Sequence, residues 1–355
     1  MKETDFKLRK KIRLRQMALF LAGGVLLVLS AVQYAYIAKT EHVVRARFEG
    51  GTVRAAQVDD YYERHGKAAQ GGKKQDGDIP YVTLWNMKEG IAVAAEGNVR
   101  EESFSLIEGY GNLEQILPGH RLEGMYPPKS DTEGCAVSDA GAKMLFGSSR
   151  VLGKKLHVDG REYIIRGIIE DGRNLLWIQN REAGGFPYME MEYPDRTSAS
   201  AVMEWLRQQE FGVPAVILPG GDYSAFNFLF LTLPLWLVAL WLYAAVKRRI
   251  HDVEKKYVRV LLAAVWGIGL VVLILAGVRY SFRFGLDYIP PKWSDFSFYS
   301  QKASELAGMH KNLAQMKPLP GDAQLLQHSR YSAYLAWGSL LFTAWAIVSG
   351  RRDRR

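Results

Sequence analysis

Long apolar runs alternate with densely charged segments along this chain. Residues 17–38, 223–246, 260–278 and 331–350 contain no Asp, Glu, Lys, Arg or His over 22, 24, 19 and 20 positions. A helix needs about 20 apolar residues to cross a hydrocarbon core about 30 Å thick. The pattern therefore predicts four transmembrane helices. They divide the rest of the chain into a basic segment 1–16, a large block 39–222, a short loop 247–259, a longer loop 279–330 and a tail 351–355. The first run follows a basic segment, as in a signal peptide. It is longer than the usual apolar core of about 7–15 residues, and no small-x-small cleavage site follows it cleanly, so it is expected to stay as an anchor. The notable polar intruders, Gln33 and Asn227, lie near span ends, where water or headgroups satisfy them. With no ionisable residue well inside a span, a transporter with its own intramembrane ion relay is not expected.

Within 39–222 the period changes. Residues 43–48 alternate apolar and basic side chains, the mark of a half-buried strand. Residues 52–64 read as a helix, and 67–78, rich in Gly, Lys, Gln and Asp, as an exposed loop. Strands are expected at 81–85, 91–95 and 103–108, with 109–112 breaking the run. A short buried strand at 135–137 is followed by Ser138, a good N-cap, then by a helix over 140–146 that Gly147 stops. Asp159-Gly160 between two alternating stretches is a strong hairpin signal. Further strands are expected at 175–179, 188–193 and 216–218, and a helix at 198–209 with Val202, Trp205 and Leu206 on one face. The predicted fold class is a four-helix membrane protein carrying an extracytoplasmic α+β domain, arranged in subdomains.

Charge fixes the orientation. Segments 1–16, 247–259 and 351–355 together hold 17 Lys and Arg against 5 acids, whereas 39–222 holds 22 against 28 and 279–330 holds 7 against 4. Positively charged flanks stay cytoplasmic. Both termini and 247–259 are then inside, and 39–222 and 279–330 outside. The net charge of +9 does not point to nucleic acid, because the excess sits beside the spans and the large block is acidic.

Little in the sequence suggests an active site. Residues 147–155 superficially resemble a phosphate loop, but the glycines are six apart and Lys155 stands where Ser or Thr would hold magnesium. The seven histidines show no metal-ligand spacing and no HExxH, and no Gly-x-Ser-x-Gly elbow occurs. Glu101 with Glu102, or Glu190 with Glu192, read as solvated faces. Cys135, the one cysteine, reads as a small buried residue. No catalytic residue, metal site or cofactor is expected.

Residues 134–147, ending Leu145-Phe146-Gly147, and 151–168, with Gly153-Lys154 and Arg166-Gly167-Ile168, resemble the extracytoplasmic core of MacB/FtsX-type ABC permeases. In that family a strand leads to a helix ending in Leu-Phe-Gly, then a Gly-Lys, a hairpin and a Gly-containing strand. The order of spans agrees along the whole chain. The resemblance implies a MacB-core domain on a permease subunit of a bacterial plasma membrane. Such a subunit sits in lipid, pairs with a second permease subunit, identical or different, and works with a separate cytoplasmic ABC ATPase. It passes the ATPase's movements to the outer domain and hydrolyses no ATP itself.

Two features depart from the family. Members carry a cytoplasmic Glu-Arg-x-x-Glu-Ile-Gly-x-x-Arg-Ala-x-Gly-like segment after the second span. Here that place holds 247–256, where Arg248, Arg249, His251 and Glu254 are the candidate ATPase contacts and a simple positive-inside turn is the alternative. Loop 279–330 is long, and its Trp293, Phe296, Phe298 and Tyr299 could lie at the headgroups, pack on the outer domain or grip a partner. The alternative to a permease subunit is a membrane-anchored binding or sensing module that has lost ATPase coupling.

Overall fold

The computed structural model describes residues 2–49, 52–70, 79–97, 101–116, 120–284, 288–290, 292, 295, 297–316 and 319–352. The chain forms two compact units. One comprises Met1–Glu41, Gly220–Ile289 and Ala323–Arg355, the other His42–Pro219 with Pro290–Asp322.

The first unit is helical. Helices α1 (Lys2–Ala38), α5 (Gly220–His251), α6 (Lys256–Ser281) and α8 (Pro320–Arg352, from Ala323 onward) build it. Among the described residues these four are long and apolar enough to cross a membrane. Small residues let backbones approach: a Cβ on Gly23 of α1 would stand 2.9 Å from Thr343 Oγ1 and 3.3 Å from the Ser339 carbonyl of α8. Polar pairs also join the helices. Ser30 Oγ donates to the Ser332 carbonyl at 2.8 Å. The His328 ring sits 2.7 Å from Gln33 Oε1 and stacks on Tyr36 at 4.6 Å. Asn227 Nδ2 donates to Ser329 Oγ at 2.7 Å and to the Tyr223 carbonyl at 2.9 Å. Gln33 Oε1 and Asn227 Nδ2 thus meet partners on a neighbouring helix, where the sequence suggested water or headgroups. Helix α6 packs on α5, with Trp236 Nε1 donating to Ser281 Oγ at 2.9 Å.

The second unit is built on one mixed ten-stranded sheet. Its strands are β1 (Val43–Arg47), β2 (Tyr81–Ala95), β3 (Glu101–Tyr110), β4 (His120–Gly124), β5 (Gly134–Ser138), β6 (Lys155–Val158), β7 (Arg161–Glu170), β8 (Leu175–Gln179), β9 (Tyr188–Glu192) and β10 (Val216–Pro219). Six of them close into a barrel. β2 pairs with β3, β3 with β8, β8 with β5, β5 with β7 and β7 with β6, and β6 returns to residues 93–95 of β2. Closure removes free edges. The barrel core contains Val93, Phe104, Leu106, Cys135, Val137, Leu156, Ile165 and Leu176, joined by Ala142 and Leu145 of α3 (Asp139–Phe146). Each such buried aliphatic side chain contributes about 1.5–3 kcal/mol.

Local chemistry sets the elements as expected here. Ser138 Oγ accepts from the Gly141 amide at 3.1 Å and from the Leu175 amide at 3.0 Å, and Gly147 ends α3 in the left-handed region. Asp159 and Gly160 have φ of 48° and 78°, so the β6–β7 turn is of the primed kind. At Gly167 a Cβ would strike the Met125 carbonyl, so only glycine lets β7 pass that backbone.

The first half of β2, residues 81–85, continues into an antiparallel extension in the order β2, β9, β1, β10. Helices α2 (Ala55–Gln70) and α4 (Ala199–Gln208) cover one face of it, packing Val58, Tyr61, Val202 and Leu206 against Val44, Ala46, Leu84 and Met189.

Several expectations are corrected. Residues 67–70 are helical because α2 runs on to Gln70, and 71–78 of the expected loop lie outside the described residues. The stretches 81–85 and 91–95 are one strand with an irregularity between Lys88 and Ile91. β3 continues to Tyr110, and the break falls at Gly111, with φ of 130°. The expected subdomains share one connected sheet, with separate core clusters on the barrel and on its extension. Strand β4 and helix α7 (Ser297–Gln315) were not foreseen. Helix α7 packs on β10 with Leu313 buried, so residues 290–322 of the long loop belong to the sheet unit.

Candidate functional site

The extension has a second face, opposite the one that α2 and α4 cover. Strand alternation sends Val44 and Ala46 to the covered core and Arg45 and Arg47 to this second face. Such arginines normally meet solvent. Here Arg45 is 5% exposed and Arg47 4%. The expectation of a half-buried strand at 43–48 is therefore corrected: both faces are buried. The reason lies more than 270 positions downstream, where the start of α8 covers them.

Antiparallel register places Glu190 of β9 opposite Arg45, and Thr83 of β2 opposite Glu190. Glu190 is 1% exposed, which corrects its reading as part of a solvated face; Glu192, two residues on, is exposed. Asp322, in the first turn of α8 and 1% exposed, completes the cluster. Its Oδ2 makes a close ion pair with Arg47 Nη2. Arg45 Nε lies 3.4 Å from Glu190 Oε1 and 3.8 Å from Asp322 Oδ1, so two carboxylates share one guanidinium. Close approach depends on Gly321, where a Cβ would lie 3.1 Å from the Ile116 carbonyl and 3.8 Å from Arg45 Nε. Leu319 packs beside them on a cluster that includes Trp85, Ile116 and Trp177.

Two arginines face two acids in a buried site. Burial is the largest influence on Glu190 and pushes its carboxyl up to about 8; Arg45 opposes this and Asp322 reinforces it. The cluster offers no nucleophile or open metal position. Its chemistry is that of a charge lock between a strand and the first turn of a helix.

Chain continuity gives the lock its importance. Strand β1 begins four residues after α1 ends, its neighbour β10 runs into α5 at Pro219–Gly220 with no residue between, and Asp322 belongs to α8. Three of the four long apolar helices therefore join the sheet unit at β1, at β10 or at the residue that locks onto β1.

A second charged group lies on the surface of the sheet unit. Asp59 of α2 accepts from Tyr110 Oη at 2.6 Å, Lys129 Nζ at 2.8 Å and Arg181 Nη2 at 3.0 Å. Burial raises its pKa, but the hydrogen bonds from Lys129 and Tyr110 and the charges of Lys129 and Arg181 outweigh it and hold the carboxyl below its ordinary value. Every Asp59 oxygen is engaged, so this group ties α2 down. Cys135 is fully buried, and burial pushes its thiol up. In the loop that resembled a phosphate site, Lys155 Nζ pairs with Glu162 at 2.7 Å. Among the described residues, no three of His, Cys, Asp or Glu gather as metal ligands.

The candidate ATPase contacts sit at the junction of α5 and α6. Arg248, Arg249 and His251 are in the last turn of α5 and Glu254 in the link to α6, all exposed. The three basic residues also complement the partial negative charge of that helix end. Of the aromatic run, Trp293 and Phe296 lie outside the described residues. Phe298 and Tyr299 open α7 with ring centroids 5.3 Å apart; Phe298 is half-buried and Tyr299 is 59% exposed. The sequence reading missed the charge lock. Its one sequence signal was the Val-Arg-Ala-Arg alternation, which reads as a half-buried strand.

No family model and no curated protein matches the chain. Solved structures do. The periplasmic region of MacB from Actinobacillus actinomycetemcomitans aligns at 12% identity and a TM-score of 0.41, covering 52% of this chain and 90% of that one. The extracellular domain of the ABC-type transporter YknZ from Gram-positive bacteria aligns at 12% and 0.36, over 49% of this chain and 96% of that one. A domain of a permease-like protein from Porphyromonas gingivalis aligns at 14% and 0.32, over 48% and 83%. Each of these alignments covers about half of this chain.

Proposed function

We propose that this chain is a permease-like, non-catalytic subunit of a MacB/FtsX-type ABC system in a bacterial plasma membrane. Its four long apolar helices cross the bilayer, with both termini cytoplasmic and the sheet unit outside. A separate cytoplasmic ABC ATPase drives it, and a second permease subunit completes the assembly. The spans carry motion to the sheet unit, which handles cargo or a partner protein.

One observation carries this reading: neighbouring strands β1 and β10 continue into α1 and α5, and Asp322 of α8 is ion-paired to β1. A domain that merely needed anchoring would require one such connection. The exposed Arg248, Arg249, His251 and Glu254 are the proposed ATPase contacts.

The test is purification of the full-length chain from its native membranes, followed by measurement of ATP hydrolysis in the eluate. An ATPase chain is expected with the wild type, and at least about tenfold less of it (about 1.4 kcal/mol of binding) with Arg248→Glu/Arg249→Glu. Absence of any ATPase chain from the wild-type eluate would overturn the coupling. It would favour the second reading, a membrane-anchored sensing module without a motor, whose support is the missing family motif in 247–259.

A further inference from the structure

The charge lock brings together groups whose balance one proton can change. Two acids, Glu190 and Asp322, compete for Arg45, while Arg47 pairs with Asp322. All four are buried. We propose that residues 319–322 form a strap latched onto the second face by Asp322, and that the latch weakens when the Glu190 carboxyl loses its proton.

Among the described residues, the groups around Glu190 are few. From β1 come Arg45 and Arg47, from β2 the uncharged Thr83, and from α8 Asp322. On β9 itself Glu192 lies two residues along the same face, exposed and held by the Gln115 amide. With Glu190 neutral, Arg45 faces a single carboxylate, that of Asp322, and the lock carries two positive charges against one negative. With Glu190 ionised, Arg45 is divided between two acids that repel each other. The strap brings Asp322 up to Glu190, and both effects hold the proton on it. When the strap leaves, Glu190 gains water and loses its acidic neighbour, and its pKa falls back toward its ordinary value.

The sign follows by linkage. The docked strap holds a proton that the released one gives up, so docking is strongest below about 4.5 and is lost as pH rises toward about 8. Within that window the docking equilibrium weakens by up to about tenfold per pH unit, and above it docking is level. Neutral pH falls on the slope.

Hydrogen–deuterium exchange on the full-length chain in lipid nanodiscs, between pH 5 and 9, tests this directly. The quantity read is exchange of the peptide covering 319–325, divided by that of Glu190→Gln under the same conditions, which cancels the intrinsic pH dependence. Glutamine keeps the size of the side chain and cannot ionise. The ratio is expected to climb by up to about tenfold per unit to about pH 8 and then flatten. A ratio constant within about twofold over that range overturns the proposal, since a titrating latch cannot be pH-blind. Should Glu190→Gln fail to fold, the wild-type 319–325 peptide is normalised to amides 134–138 of β5 in the same spectra. A flat normalised profile overturns the proposal equally.

Discussion

Replacing Asp322 with alanine tests the buried lock as a structural element. The substitution removes the carboxylate that faces both Arg45 and Arg47 and leaves those guanidinium groups, each about 5% exposed, with Glu190 as the remaining acid. Breaking a buried pair by deleting one partner costs about 3–5 kcal/mol, because the desolvated charge left behind cannot recover its hydration. Loss of a carboxylate from the first turn of α8 adds about 0.3–1 kcal/mol through the helix dipole. For a unit of about 200 residues, 1 kcal/mol moves the melting temperature by about 2–4 °C, so Asp322→Ala is expected to melt roughly 7–24 °C below the wild type. The control is Lys143→Ala, which removes the surface pair with Asp139; Lys143 is 59% exposed, and screening holds the expected shift to about 1–2 °C. The assay is intrinsic tryptophan fluorescence during heating of the nanodisc-embedded chain. An Asp322→Ala melt within about 2 °C of the wild type would falsify the burial reasoning, since it would mean that water already solvates the arginines.

Two further outcomes rest on the barrel. Ser138→Ala removes the acceptor for two buried amides, Gly141 and Leu175, and is expected to destabilise by about 2–3 kcal/mol in urea titration; a loss under about 0.5 kcal/mol would show that water replaces the hydroxyl. Cys135, with its thiol buried and pushed up, is expected to resist maleimide at pH 8 until the chain unfolds, as followed by intact mass; full modification of the native protein within minutes refutes that burial.

What the sequence made legible was local. Ser138, Gly147 and the Asp159-Gly160 turn each satisfy a backbone requirement within four residues, so their roles can be read without knowing what packs on them. The stripe of Val202, Trp205 and Leu206 on α4 is legible for the same reason, since helical spacing alone puts them on one side. What stayed hidden was set by distant pairing. Closure of the barrel depends on three residues of β6 returning to the far end of β2, and no periodicity in either strand announces it. Strand β4 is short and bears charged and apolar residues without strict alternation, so it read as loop. The arginines of β1 show the limit most plainly. An alternating apolar and basic strand has a solvent face unless something covers it, and the cover here is Leu319, Gly321 and Asp322, from the far end of the chain. Residues 290–322 were expected as a loop between spans, so the partner that inverts the reading of 43–48 was assigned elsewhere.

In the proposed role, the lengths of the connections decide which helices can drive the sheet. Between α1 and β1 run four residues, which span at most about 14 Å when extended, and between β10 and α5 there is none. A displacement of either helix meets little slack before it reaches a strand, and the two strands are hydrogen-bonded neighbours, so relative movement of α1 and α5 acts on one ladder. Strand β1 cannot absorb the load by slipping one residue. A slip of that size would send Arg45 and Arg47 into the core that Val44 and Ala46 occupy, and Val44 and Ala46 onto Glu190 and Asp322, which is why a strand with one charged buried face has a strongly specified register. Helix α8 reaches the same strand through Asp322. Helix α6 differs: residues 282–296 separate it from α7, and it packs on α5. On the proposed function, α1, α5 and α8 are the helices through which force would reach β1 and β10.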